Sequence, residues 1–340
     1  MLKRQAVRKF AFPVAETALP SYRSRIMIRA AAIPFVTPVL PTVPGWAVPQ
    51  GSITSDSEAA FMAGAALNSL DGLVRADPAW AGAWRQRLAL KCAVASVRLA
   101  GRNESEAALR DAALLTRPDD DPGPAGNVLA AWGRLASRSA RVDVEALRVV
   151  VDLHGLAWSQ DLEGFPSQID ALVRAPTPAP FSAAMIAIQV FAVRPDAEQL
   201  AWWLADLVLS QKLRWSRCVP LLTAQVFTPA LHAGSSRLRP GAGGFDRAVC
   251  IAVAQGAAEA CRIAGEIARR AERLAAVAPS LRAKGAGEAI VKLLCEDAVS
   301  GSLVTPRLSR FGSRRLFERL MDANAVRELS GRTTFRLYGL

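Results

Sequence analysis

Apolar residues recur at helical spacing along most of the chain. Ala60, Ala63, Leu67, Leu70 and Val74 follow Ser55 to Glu58, a capping box that predicts a helix start, and Asp77 with Pro78 predicts its end. A second stripe carries Trp84, Leu88, Cys92, Ala95 and Leu99 up to Gly101, and a third helix opens near Asn103, Glu104 and Glu106 and stops before Pro118. The loop from Arg117 to Gly126 follows, then helices at about 128–136, 143–153, 167–174 and 181–193, with His154 and Gly155 ending the second of these. Pro195 stands at the first turn of a helix over 196–213, and Pro220 is expected to open another. After a glycine-rich loop, Gly234 to Gly244, the longest pattern runs from Phe245 to Val277 with small residues along its inner face. This is a bundle pattern.

The pattern changes after residue 280. Ile290, Leu293 and Leu294 mark a helix, a short segment follows at Thr305 to Leu308, and a capped helix is expected over 309–323. Residues 326–329 and 334–338 read as strands around the glycine-containing turn 330–333. Helices followed by a hairpin give winged-helix order. The expected fold class is therefore mainly α: a multi-helix bundle body at 46–280 and a C-terminal winged helix with a small β-hairpin at 281–340. Alanine-rich composition and short β-branched runs agree with it.

Charge sharpens the picture. The net charge is +12, but residues 1–45 hold seven basic residues against one acid, and residues 306–340 hold eight arginines against three acids. The two ends thus carry +6 and +5, leaving about +1 for everything between them. A polyanionic partner would meet an end of the chain. The first segment, 1–45, reads as a basic, disordered leader because Pro34, Pro38, Pro41 and Pro44 interrupt its apolar part. No apolar run there approaches the roughly 18 to 20 residues of a membrane span, and the order of segments is wrong for a secretory signal. The expectation is a cytoplasmic protein with no membrane partner.

On a helical wheel of residues 309–323, Ser313, Leu316, Phe317 and Leu320 share one side. Arg314, Arg315 and Glu318 face outward, with Arg310 and Arg319 beside them, and Arg332 lies at the tip of the expected hairpin. Arginine brings a permanent charge and a planar fork of donors, which phosphate and groove contacts require. Arg310, Arg314, Arg315, Arg319 and Arg332 are therefore the expected DNA-binding residues, with double-stranded DNA, or else another protein, as the partner.

Catalytic material is sparse. Only His154 and His232 are present, Gly241 to Gly244 lacks the lysine of a phosphate loop, and Asp119, Asp120 and Asp121 read as turn chemistry before a metal site. Cys92, Cys218, Cys250, Cys261 and Cys295 form no Cys-x-x-Cys pair and read as reduced core thiols. Neither a cofactor nor a metal is expected.

The segment from Trp80 to Lys91, the loop Arg117 to Gly126, Arg282 to Gly287 and the stretch Arg327 to Leu340 together resemble the bacterial domain-of-unknown-function family 1403, from about Pro44 onward. The resemblance implies no particular activity. The last segment also resembles the winged helix that ends many Fic-type proteins, which transfer nucleotidyl groups with a loop of the form His-Pro-Phe-x-x-Gly-Asn-Gly-Arg. Here the nearest candidate, His232 to Arg237, lacks the Pro-Phe and Gly-Asn-Gly elements. The reading that follows is a DNA-associated regulatory or accessory protein; the alternatives are a protein-interaction scaffold, and a Fic-related enzyme or pseudoenzyme.

Overall fold

The computed structural model describes residues 40–340 except 118, 119, 138 and 140. Of the expected leader, residues 1–39 lie outside the described residues, while Leu40 and Val43 already pack against the core.

Among the described residues the chain is mainly helical, with eleven α-helices. The first, α1 (Asp56–Ala76), begins where the capping box places it: Ser55 Oγ accepts the Glu58 amide at 3.3 Å. It stops at Asp77, whose φ of 37° is left-handed. Then come α2 (Ala81–Leu99), α3 (Glu106–Leu114), α4 (Gly123–Ser137), α5 (Val144–Leu153), α6 (Phe165–Arg174), α7 (Ala179–Val193) and α8 (Glu198–Lys212). Helix α9 (Phe245–Val277) has the bounds its periodicity predicts.

Small residues decide how these helices approach. Ala248, Ala252, Gly256, Ala260 and Ala264 of α9 are buried, and α9 lies along α1. Trp84 of α2, fully buried, donates its indole N–H to the Ala260 carbonyl at 2.9 Å, so a bulky anchor meets the alanine face with its one polar atom satisfied. By length and composition α9 alone among the described helices is apolar enough to cross a bilayer, but 67% of its most apolar window is covered by the rest of the protein.

The helix expected after Pro220 does not form. Asp206 of α8, fully buried, accepts from the amides of Leu221 (2.8 Å), Leu222 (2.9 Å) and Thr223 (3.3 Å) and from the Thr223 hydroxyl (3.2 Å). One carboxylate thereby satisfies successive backbone donors, and only two short 3-10 turns, Thr223–Gln225 and Pro229–Leu231, follow.

At the C-terminal end, α10 (Ala286–Cys295) rests on α2; a β-carbon on Gly82 would stand 2.8 Å from Cys295 Cα, so glycine permits the contact. Two strands, β1 (His232–Ala233) and β2 (Ser236–Arg237), form a small separate hairpin that the sequence pattern did not indicate. The strands β3 (Val299–Ser300), β4 (Arg327–Glu328) and β5 (Leu337–Gly339) make an antiparallel sheet in the order β3-β5-β4, with helix α11 (Arg310–Asp322) between β3 and β4. The strands are shorter than the alternation suggests, because side chains replace the ladder beyond Leu329. Glu328 Oε1 accepts from Ser330 Oγ at 3.0 Å and the Arg332 amide at 3.3 Å, while Ser330 Oγ accepts the Leu337 amide at 3.1 Å. Residues 329–336 are consequently a loop. Phe317 stacks on Tyr338 at 4.7 Å, and both belong to the same continuous apolar core as Trp84 and Ala260, so packing runs unbroken from the helical body into this segment.

Candidate functional site

Helix α11 starts at the Ser309 cap, whose Oγ accepts the Gly312 amide at 3.2 Å. Its inner side, Ser313, Leu316, Phe317 and Leu320, is buried, and Arg310, Arg314, Arg315 and Arg319 are exposed, as the helical wheel indicates. Arg314 pairs with Glu318 at 3.2 Å and Arg319 donates to the Ser280 carbonyl at 3.3 Å. Arg310 and Arg315 make no hydrogen bond or ion pair among the described residues.

Arg332 is placed differently from the other four. Its guanidinium donates two 2.6 Å hydrogen bonds to Asp111 of α3, and also reaches the Phe335 carbonyl at 3.2 and 3.0 Å. It therefore clamps the 329–336 loop to the body.

Between α11 and this loop lies a groove of about 450 Å³, lined by Arg310, Phe311, Arg314, Phe335, Arg336 and Tyr338, with Ser302 at its side. Phe311 is 80% exposed and Phe335 61% exposed, and Phe335 sits at φ 52°. Gly301 supports the floor, since a β-carbon there would come within 2.7 Å of the Tyr338 ring. Sequence reasoning missed the two phenylalanines and Arg336. A signal existed for Phe311, which shares the outward side of the helix with Arg314 and Arg315; nothing local announced Phe335.

A second concentration of charge surrounds Asp297. Its carboxylate accepts from Arg87 and, at 2.6 Å, from Arg110, while Arg87 also donates to the Leu340 main-chain oxygen at 3.3 Å. Burial pushes the Asp297 carboxyl up, but the two guanidinium charges outweigh it and hold it below the usual carboxylate range. Arg327 stands close by. Burial, and then the charges of Arg87 and Arg270, lower its pKa, and its Nε is buried without a hydrogen-bond partner.

Asp297 and Arg110 also line a cavity of about 630 Å³ between α2, α3 and α4, together with Gln86, Arg117, Asp120 and Arg134. Three segments singled out in the sequence thus converge. Residues 80–91 supply Gln86 and Arg87, Arg117, Asp120, Pro122 and Gly126 supply one wall, and residues 327–340 bring Leu340 to Arg87.

The histidines and cysteines lie elsewhere. His154 caps α5 and is buried, its Nδ1 2.8 Å from the Val150 carbonyl, and burial lowers its pKa to about 4. His232 Nδ1 is 2.7 Å from the Thr228 carbonyl, and Arg237, across the hairpin from it, is ion-paired with Glu198 at 2.8 Å. Burial pushes Cys250 and Cys261 up to about 12 and about 11, so neither is a thiolate near neutrality. No group of three or more histidine, cysteine or acidic side chains able to hold a metal ion occurs among the described residues.

No curated protein matches the sequence. The profile of one family does match, over residues 35–340, which takes in the arginine face of α11, the groove beside it and the Asp297 cluster together. The chain belongs to the family of proteins of unknown function DUF1403.

Proposed function

We propose that this is a cytoplasmic, DNA-associated regulatory or accessory protein whose C-terminal segment works as a winged helix, with α11 as the element that meets the duplex. One observation carries the reading: four arginines, Arg310, Arg314, Arg315 and Arg319, stand exposed on a helix whose other side is fully committed to the core. Such a helix offers permanent positive charge to phosphates without costing the fold anything. The antiparallel order β3-β5-β4, with α11 between the first two strands in sequence, supports the winged-helix assignment. Arg332 enters as the residue that sets the position of the wing loop through Asp111, rather than as a phosphate ligand.

Titrating a fluorescein-labelled duplex with the full-length protein tests this reading. Wild type should bind, and the variant with Arg310, Arg314, Arg315 and Arg319 all changed to Gln should lose most of that affinity while keeping its circular dichroism spectrum. A variant that binds as tightly as wild type would favour the interaction-scaffold alternative.

The cavity beside Asp297 supports a second reading, in which the helical body takes a small molecule. It places Arg117 and Asp120 in one space with Arg110 and Asp297, the convergence of charged and apolar lining that ligand sites show. A Fic-related activity draws less support, because His232 lies in a two-stranded hairpin with its Nδ1 against the Thr228 carbonyl.

A further inference from the structure

We propose that the groove between α11 and the 333–336 loop holds one unpaired nucleotide, its base stacked against Phe311 and Phe335 and its phosphate on Arg310 and Arg336. This deepens the DNA-binding reading and rests on it.

The case begins with Phe335. A phenylalanine at φ 52° is strained, since the left-handed region crowds a β-carbon against the neighbouring carbonyl, and glycine or asparagine would sit there more comfortably. Its ring is also 61% exposed, so it returns little burial in exchange. The surrounding structure nevertheless enforces the conformation: Arg332 donates twice to the Phe335 carbonyl, and Asp111 anchors Arg332 in turn. A strained, exposed aromatic held by a buttress is the kind of outlier that marks a contact surface.

Phe311 faces the same groove at 80% exposure, on the outward side of α11 that otherwise carries Arg314 and Arg315. Neither ring stacks on another aromatic ring among the described residues; the close pairs are Trp46 with Phe61, Trp202 with Phe245, and Phe317 with Tyr338.

Charge identifies the occupant. Arg310, Arg314 and Arg336 line the groove against the single acid Glu318, which is already engaged by Arg314. Arg336 also stands 3.8 Å from Glu328 and donates to the Arg332 carbonyl at 3.2 Å, whereas Arg310 has no ion-pair partner among the described residues. Ser302, Thr333 and Thr334 add hydroxyls. Exposed aromatics interleaved with arginines match a nucleotide whose base has left its stack: the flat face pairs with the ring and the phosphate with the guanidinium. A paired base inside a duplex presents no free face.

The full-length protein would be titrated with three labelled probes: a single-stranded oligonucleotide, a blunt duplex, and the same duplex with an unpaired overhang. The overhang duplex should bind more tightly than the blunt one. Phe311→Ala and Phe335→Gly should each remove about 5- to 100-fold of affinity for the overhang and single-stranded probes and leave the blunt duplex nearly unaffected. Phe311→Trp, which keeps a stacking face, should retain binding. Because Phe335→Gly relieves a strained φ, its thermal midpoint should be unchanged or higher, which separates lost binding from lost fold.

Equal binding of blunt and overhang duplexes, with both phenylalanine variants neutral, would overturn the nucleotide site and leave the α11 reading standing. Absence of binding to all three probes would overturn both. Binding of an acidic peptide that depends on the phenylalanines, with nucleic-acid binding indifferent to them, would assign the groove to a protein partner and overturn the proposal.

Discussion

Arg332 and Asp111 meet through two parallel hydrogen bonds of 2.6 Å, joining the loop before β5 to helix α3. A bidentate pair fixes direction as well as distance, and the same guanidinium holds the Phe335 carbonyl. The pair is solvent-accessible, so its effect on global stability is expected to be small and its effect on the loop large. Asp111→Ala should therefore leave the thermal midpoint nearly unchanged while amide hydrogen exchange over residues 330–337 accelerates. Wild-type exchange rates in the variant would show that the clamp does not order the loop.

Leu88 lies in the first part of the core, 4% exposed, one turn beyond the Trp84 that bonds Ala260. Leu88→Ala should cost about 2–5 kcal/mol, the transfer of the lost carbons plus the cavity they leave. Trp84→Phe should cost about 0.5–1.5 kcal/mol, the net worth of the hydrogen bond to the Ala260 carbonyl, which lies within α9 and keeps its helical partner. Urea unfolding measures both, and near-neutral values would contradict the packing of α2 on α9.

The Asp297 cluster predicts a larger loss. Asp297→Asn removes the charge that Arg87 and Arg110 share, leaving the nearly buried Arg87 without an anion while Arg110 keeps Glu106 at 3.1 Å. Breaking a buried pair in this way costs about 3–5 kcal/mol. The same measurement, with the variant within 1 kcal/mol of wild type or so, would mean that Leu340 or solvent compensates fully.

His154 gives the chain an acid limit. Burial lowers its pKa to about 4, below the ordinary 6.5, so the folded protein holds the ring neutral while the unfolded chain takes up a proton. Its contribution is fully present above pH 6.5 and is lost as pH falls from there towards 4, at about 1.4 kcal/mol per unit. Asp206 acts in the opposite sense: burial raises it to about 6, so its contribution is present below 3.8 and is lost as pH rises through 6. Comparing unfolding free energies of wild type and His154→Gln across pH isolates the histidine, and the difference between them should shrink as pH falls below 6.5. A constant difference would indicate that His154 titrates normally.

Much of the helical body was legible because its boundaries are local chemistry. Ser55, Asp77, Gly244 and Ser309 each end or begin a helix through their own side chain or backbone preference, and α1, α9 and α11 start where these residues place them. The region after Pro220 was not, because its amides are taken by Asp206, a residue of the preceding helix that no local pattern connects to them. The candidate site divides the same way. The outward arginines of α11 follow from helical period, whereas the clamp of Arg332 on Asp111 and the exposure of Phe335 depend on contacts between distant parts of the chain and on a left-handed residue at no glycine. Arg87 and Asp297 were likewise invisible, since their pairing spans most of the sequence.

The most direct measurement of whether α11 meets duplex DNA is the salt dependence of binding. Each phosphate neutralised by a basic side chain releases counterions and contributes about 0.9 to the slope of log affinity against log salt concentration. Arg314 and Arg315 are both exposed and project away from the buried Leu316 and Leu320, so replacing both with alanine should leave the circular dichroism spectrum intact. With a labelled duplex titrated at several salt concentrations, the double variant should show a slope smaller in magnitude by roughly 1.8, with binding weakened most at low salt. An unchanged slope, or a wild-type protein that does not bind the duplex, would contradict the assignment of α11 as the DNA-contacting helix.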